Sequence, residues 1–137
     1  MSKLVLSNSY VSINGVDLSD HCKDENFTQK ADALENTAMG ATTHTFQPGL
    51  LNDDFSFTFY QDYGAGSVDA TLSAILAGGV AVAIEVRPVN TTVGATNPKW
   101  TGNVMLESYE AISGSVGAMA MCKATFKPAG AITRATS

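Results

Sequence analysis

Between Phe55 and Pro88 the hydrophobic period of the chain changes twice. In FSFTFYQ, Phe55, Phe57 and Phe59 fall on one side and Ser56, Thr58 and Tyr60 on the other, the alternation of a half-buried strand. From Ser67 the spacing lengthens. Val68, Leu72, Ile75 and Leu76 then share one face of a helix over residues 67–77, with Ser67 as its N-cap and Gly78 and Gly79 closing it. Alternation returns in Val80, Val82, Ile84 and Val86, set against Ala81, Ala83, Glu85 and Arg87. The pattern is strand, helix, strand: a helix laid on β-sheet.

The rest of the chain reads as strands. Tyr10 to Ile13, the dipeptide Asn14-Gly15 and Val16 to Leu18 predict a hairpin over 10–19, because Asn-Gly tolerates the positive φ angles that a tight hairpin turn demands. His21 to Lys30 continues as a strand with Phe27 buried. Within Ala31 to Leu51, Leu34 to Met39 is a short strand and the remainder an extended loop or hairpin arm around Pro48-Gly49; a proline does not fit a central ladder. Asn97-Pro98 marks a turn, Trp100 to Glu110 a strand with Val104, Leu106 and Tyr109, and Ser113 to Gly117 another turn. Gly117 to Lys127 is the last long strand, and Ala131 to Ala135 a short edge strand or tail. The sum is a mainly β protein: two packed antiparallel sheets, a β-sandwich or partly closed barrel, with one flanking α-helix near residues 67–77. Val80 to Val86 and Ala118 to Phe126 are apolar or small on both faces, so one sheet is expected to be covered from outside as well as by its own core.

Composition sharpens that expectation. At 137 residues the chain is one domain, 1–137, able to remove roughly two-thirds of its unfolded surface from water. Only 15% of residues are charged, against about 25% in an average globular protein. Its surface must be uncharged polar, or covered by copies of itself. The net charge of −5 and the scattered basic residues argue against phosphate binding. Cys22 and Cys122 are too few for a disulfide framework and are expected as free thiols. MSKLVLSNSY lacks the apolar centre of a signal peptide, which predicts a cytoplasmic site of synthesis and assembly. Val68 to Val86 is apolar and long, but Asp69, Glu85 and the Gly78-Gly79 break argue against a membrane anchor.

No constellation points to catalysis, a metal or a cofactor. Asp20, His21, Cys22 and Asp24 hold metal-ligating groups, but a second paired element is missing and adjacent His21 and Cys22 point to opposite faces of a strand. No G-x-S-x-G elbow accompanies His21 or His44. The pairs Asp53-Asp54 and Asp24-Glu25 fit solvated turns. Gly64-Ala65-Gly66 precedes the helix without the spacing of a nucleotide loop, and Asp69 in the first helical turn would repel phosphate. These glycines serve to turn the chain.

The order of elements is more telling. INGVDLSDHCKDENFTQKADALENTAMG, GLLNDDFSFTFYQDYGAGSVDATLSAIL, AIEVRPVNTTVGATNPKWTGNVMLESYEAISGSVG and FKPAGAITRAT together resemble the major tail tube proteins of long-tailed, siphovirus-like bacteriophages. Asp17 to Asp20, FYQDYGAGSVDATL, EVRP at Glu85 to Pro88 and Ala95 to Lys99 carry the likeness most specifically. The resemblance implies a structural virion protein, not an enzyme, that self-assembles into stacked hexameric rings. It further implies sheets paired edge to edge around a bore through which DNA is ejected without specific binding. Implied partners are a tape-measure protein and tail-tip or terminator proteins, and the implied location is the virion tail, assembled in the host bacterial cytoplasm.

Within that frame the segment Ala31 to Leu51 is the expected inter-ring arm, with Thr42, Thr43, His44, Phe46, Pro48 and Gly49 at its centre. It is long, polar and short of large apolar residues, so it should not order itself without a neighbour. A tail terminator or neck protein, or a contractile-system tube protein, would share the fold. A monomeric β-sandwich binding module would instead show aromatic clusters on loops, where this chain offers only Trp100 and Tyr63. A small hydrolase would need a convergent polar pocket.

Overall fold

The computed structural model describes residues 3–137. Ten strands and one α-helix follow in order: β1 (Tyr10–Ile13), β2 (Val16–Asp17), β3 (Cys22–Thr28), β4 (Ala31–Glu35), β5 (Phe46–Leu51), β6 (Asp54–Tyr60), α1 (Val68–Gly78), β7 (Val82–Arg87), β8 (Lys99–Tyr109), β9 (Met121–Pro128) and β10 (Thr133–Ala135). All pairings are antiparallel. Eight strands form one sheet in the order β2-β1-β7-β8-β9-β6-β3, with β10 against β8, while β4 and β5 pair only with each other.

The two expected layers are halves of that one sheet, which curls over its own core. Phe27 on β3 and Trp100 on β8 bring their ring centroids to 5.9 Å, edge to face, although β6 and β9 lie between those strands. In a flat sheet three strand spacings would hold them about 14 Å apart. The curl is dictated by alternation. Phe55, Phe57 and Phe59 stand opposite Phe126, Ala124 and Cys122, Leu106 opposite Phe126, and Val11 and Ile13 opposite Val86 and Ile84. All of them are buried. The apolar face is thus continuous from edge to edge, and only rolling the sheet removes it from water.

The Asn14-Gly15 turn has φ angles of 52° and 78°, as the hairpin requires. Gly102 is needed for a different reason: a Cβ there would lie 2.6 Å from Ile132 Cδ1 and 3.0 Å from the Ala131 carbonyl oxygen. The final segment can therefore cross close over β8 before β10 pairs with Thr101, Trp100 and Lys99.

The helix packs against β8 and buries Val68, Leu72 and Ile75 in the common core. Thr71 completes the buried face, whereas Leu76, expected on it, is 46% exposed. The helix is rotated toward its Thr71 side relative to the sequence pattern. Ser67 occupies the N-cap position without a side-chain bond to the helix; its hydroxyl donates to Asp62 Oδ2 instead, at 2.7 Å. Gly79 closes the helix in the left-handed conformation at φ 64°.

Several boundaries also differ from the sequence reading. Val80 precedes β7 and is exposed, and Ala118 to Ala120 lie outside β9; the ladders begin at the Val82–Val104 and Tyr60–Met121 pairs. Phe27 is only half-buried, since β3 is the free edge of the sheet. The short strand expected at Leu34 to Met39 lies instead at Ala31 to Glu35, and Met39 is fully exposed near the tip.

Candidate functional site

The β4–β5 arm is the part of the fold with no place in the core. Every residue of β4 is exposed, and in β5 only Gly49 is even half-buried. The ladder runs Ala31 to Leu51, Ala33 to Pro48, Leu34 to Gln47 and Glu35 to Phe46. Pro48 is tolerated because the pair has two edges and no central strand. Gly49 lies beneath Leu34, whose Cγ and Cδ1 would be 3.1 Å from an added Cβ.

The arm's order comes from side chains that sequence reasoning passed over. Thr45 Oγ1 donates to Asn36 Oδ1 at 2.6 Å, the Thr45 amide donates to Thr37 Oγ1 at 2.8 Å, and Asn36 Nδ2 donates to Gln47 Oε1 at 3.2 Å. His44 Nδ1 meets Glu35 Oε2 at 2.5 Å. Thr42 and Thr43 form the bend at the tip, and Phe46 is 59% exposed. With Leu34, Met39, Leu50 and Leu51, the arm displays five exposed large apolar side chains, so it is not the polar segment that its run of Thr suggested.

At its base the arm is anchored by charge. Asp54 accepts from Lys127 and, through Oδ2 at 3.0 Å, from Lys30. These hydrogen bonds hold the Asp54 carboxyl below its ordinary value. The Lys30 amide donates to Asp53 Oδ1 at 3.3 Å, and the Asn52 amide to the Lys30 carbonyl at 2.8 Å, so both legs of the arm start from one fixed point.

At the opposite end of β6 the structure joins residues that lie far apart in sequence. His21 Nε2 lies 3.0 Å from Asp62 Oδ2, which also accepts from Ser67 Oγ, while Asp62 Oδ1 accepts from the Gly64 amide at 2.9 Å. The Gly64 amide first, then Ser67 and His21, keep the Asp62 carboxyl below its usual range. Ser, Asp and His meet here, but with the carboxylate in the middle. His21 bonds Asp62 rather than Ser67, so it is not placed to take the serine proton, as nucleophilic catalysis requires. The cluster ties the start of β3 to the loop before α1. Nearby, Tyr109 donates to Asp69 Oδ1 at 2.8 Å, Gln61 donates to Tyr109, and Tyr63 donates to the Ala111 carbonyl at 2.7 Å.

A cavity of about 260 Å³ opens between β3 and the β7–β8 layer, walled by Phe27, Phe57, Val86 and Trp100 with Glu25 and Gln29 at its side. Glu25 faces inward because a bulge between Cys22 and Asp24 shifts the register of β3. Burial pushes its carboxyl above the ordinary 4.5, against a lowering hydrogen bond from Ser9. The cavity's polar groups do not form a nucleophile and base pair.

Cys22 and Cys122 both stand opposite Phe59, one on each side of it. Their Cα atoms are therefore about two strand spacings, some 10 Å, apart, beyond disulfide reach. Burial raises their thiols to about 12 and about 11. Of the four metal-ligating candidates, His21 turns to Asp62 and Cys22 Sγ donates to the Asp24 carbonyl; among the described residues no three such groups converge. Among the described residues, too, no helix is long and apolar enough to cross a membrane.

No protein-family model and no curated protein matches the sequence. Solved structures do match the fold. A chain from the tail of an empty gene transfer agent particle, refined with C6 symmetry, superimposes with a TM-score of 0.70 at 14% identity, covering 84% of this chain and 82% of that one. The SPP1 tail tube gives 0.72 at 14% identity, covering 95% and 76%. This chain has the tail-tube fold. The sheath/tube terminator of the extracellular contractile injection system PVC matches equally well, with a TM-score of 0.73 at 13% identity and 98% coverage of both chains. The fold is thus shared by tubes and by the parts that end them.

Proposed function

We propose that this protein is a tail-tube subunit, a non-enzymatic structural protein whose copies form rings that stack into a conduit for DNA. The likeness to tube subunits from a phage and a gene transfer agent tail carries this reading. The C6 symmetry of that tail supports six copies per ring. The chain's own surface adds weight: a free β3 edge that would otherwise invite uncontrolled pairing, few charges, and a net charge of −5 that would keep phosphates from sticking to the conduit. Tape-measure, tail-tip and terminator proteins are the partners such a tube needs, and the virion tail is its location.

The β4–β5 arm is the inter-ring contact in this reading, with Thr42, Thr43, His44, Phe46, Pro48 and Gly49 in its outer part. An isolated two-stranded ribbon is marginal in water, so an exposed apolar ribbon gains most from a neighbour. Negative-stain electron microscopy of the purified chain, concentrated or seeded on tail tips, should show rings and tubes. Deleting Ala41 to Gln47 removes the outer ribbon but should leave a subunit that is folded by circular dichroism and melts cooperatively, and should abolish tubes. Tubes of normal length from the deleted protein would move the stacking contact elsewhere. A wild-type chain that stays monomeric under both conditions would reject the tube reading.

A further inference from the structure

Resting on the tube reading, we infer that the arm of one copy is received by the loop between β8 and β9 of a copy in the next ring, together with Tyr63 beside it. The argument begins with position. The arm leaves the sheet at the Thr28–Asp54 end of the β3–β6 pair. The β8–β9 loop closes the Tyr60–Met121 end, where the Gln61 amide donates to the Ala120 carbonyl and Tyr63 to the Ala111 carbonyl. The length of β6 separates the two ends, about 20 Å. No residue of the arm belongs to the core cluster, and among the described residues the hydrogen bonds of the arm run within it and to its base, none to the loop.

Chemistry then matches the two ends. Residues 36–51 contain no Asp, Glu, Lys or Arg, and neither do residues 111–120. On the loop, Ile112 is 89% exposed, Val116 is 106% and Met119 is 70%, with Tyr63 at 60%. On the arm, Phe46, Leu50 and Leu51 are the apolar counterparts. The centre of a protein interface is depleted in charge and enriched in aromatic residues and Met; each surface offers one aromatic ring and one exposed Met, Phe46 and Met39 on the arm, Tyr63 and Met119 at the loop. Across the ribbon from Phe46 lies Glu35, whose carboxylate is met by His44 Nδ1; Phe46 and Leu50 themselves bring no charge to the contact.

A second copy is the occupant that this arrangement selects. The two surfaces differ and lie at opposite ends of one chain, so the contact is head-to-tail and repeats along an axis without closing. A terminator needs only one such end. A chain with both ends apolar is built to be continued on both sides.

Charge exchange tests the pairing. The arm variant Phe46→Glu/Leu50→Glu and the loop variant Ile112→Lys/Val116→Lys should each fold as wild type by circular dichroism, and each should yield at least tenfold fewer tubes by electron microscopy. The combined four-site variant should recover tubes at low salt and lose them again at 1 M salt, where the screening length is only about 3 Å. Normal tubes from the loop variant, or a combined variant no better than either parent, would overturn this contact and leave the tube reading standing. A wild-type chain that forms no tubes would remove both.

Discussion

Phe57 and Phe46 occupy the same kind of secondary structure and meet opposite fates. Phe57 sits in β6 at 1% exposure, and Phe46 in β5 at 59%. Around Phe57 the rings of Phe55, Phe59 and Phe126 lie within 6.2 Å, 5.6 Å and 5.8 Å between centroids. Around Phe46 there is a single partner strand, and its order comes from Asn, Thr, Gln and His side chains bonding across the ribbon. Local β geometry is therefore the same in the curled sheet and in the arm, and the source of stability differs. The sheet is held by its own interior. The arm is held by polar cross-links that leave its apolar side chains free, the arrangement a segment needs if those side chains are to be buried between molecules.

The largest expected contrast comes from truncating those two rings. Phe57→Ala should cost about 3 to 5 kcal/mol of subunit stability in urea denaturation, as buried aromatic truncations do. Phe46→Ala should stay within about 0.5 kcal/mol of wild type while reducing tube formation. If Phe46→Ala destabilised the isolated subunit as much as Phe57→Ala, the arm would be part of the core and the comparison would fail.

The helix provides a smaller version of the same contrast. Leu72→Ala should cost about 2 to 5 kcal/mol, and Leu76→Ala, with Leu76 half in solvent, should cost about 1 kcal/mol or less. Equal losses at the two sites, measured by thermal or urea unfolding, would show that the helix face is set as the sequence pattern predicted rather than rotated toward Thr71.

The finest test lies where the sheet's interior is imperfect. Burial raises the Glu25 carboxyl in the folded state above its ordinary 4.5, so its cost to folding is absent below that value and grows as pH rises through the folded pKa. Asp54 and Asp62 act in the opposite sense. Their folded values are lowered, so their stabilisation is present above 3.8 and is lost as pH falls through those lowered values. Glu25→Gln should therefore match wild type near pH 4 and exceed it at pH 7 in urea midpoint. A variant that is less stable than wild type at pH 7 would mean that the ionised carboxylate is satisfied where it stands.

The order of strands, helix and turns was readable without coordinates from hydrophobic period and Asn-Gly or Gly-Gly signals, and the resemblance to tail tubes rested on passages such as FYQDYGAGSVDATL and EVRP. The long stretch between Ala31 and Leu51 was readable as an arm, but the expectation that it would not order itself alone differs from the structure, where β4 and β5 pair within one chain. Its strand boundaries were not readable, since Thr45 bonding to Asn36 and Thr37 is a cross-strand event with no local signature. The loop between β8 and β9 was read only as a turn at Ser113 to Gly117, with the residues after it given to the last strand; its length depends on where β9 finds its partners.

What the sequence determined by itself is the division of each strand into inner and outer faces: a side chain's face follows from alternation along one strand, a local property. The alternation of Phe55, Phe57 and Phe59, of Val82, Ile84 and Val86, and of Cys122, Ala124 and Phe126 assigns the part of the core that β6, β7 and β9 supply. What only the tertiary structure decided is everything that depends on a partner strand or a packing angle. The bulge between Cys22 and Asp24 turns Glu25 inward beside Phe57. The seat of α1 on β8 chooses Thr71 over Leu76, and the meeting of His21, Asp62 and Ser67 makes a structural tie of residues that could have been chemistry. Each is fixed by contacts between segments distant in the chain, and the energies of such contacts leave no periodic trace in either segment.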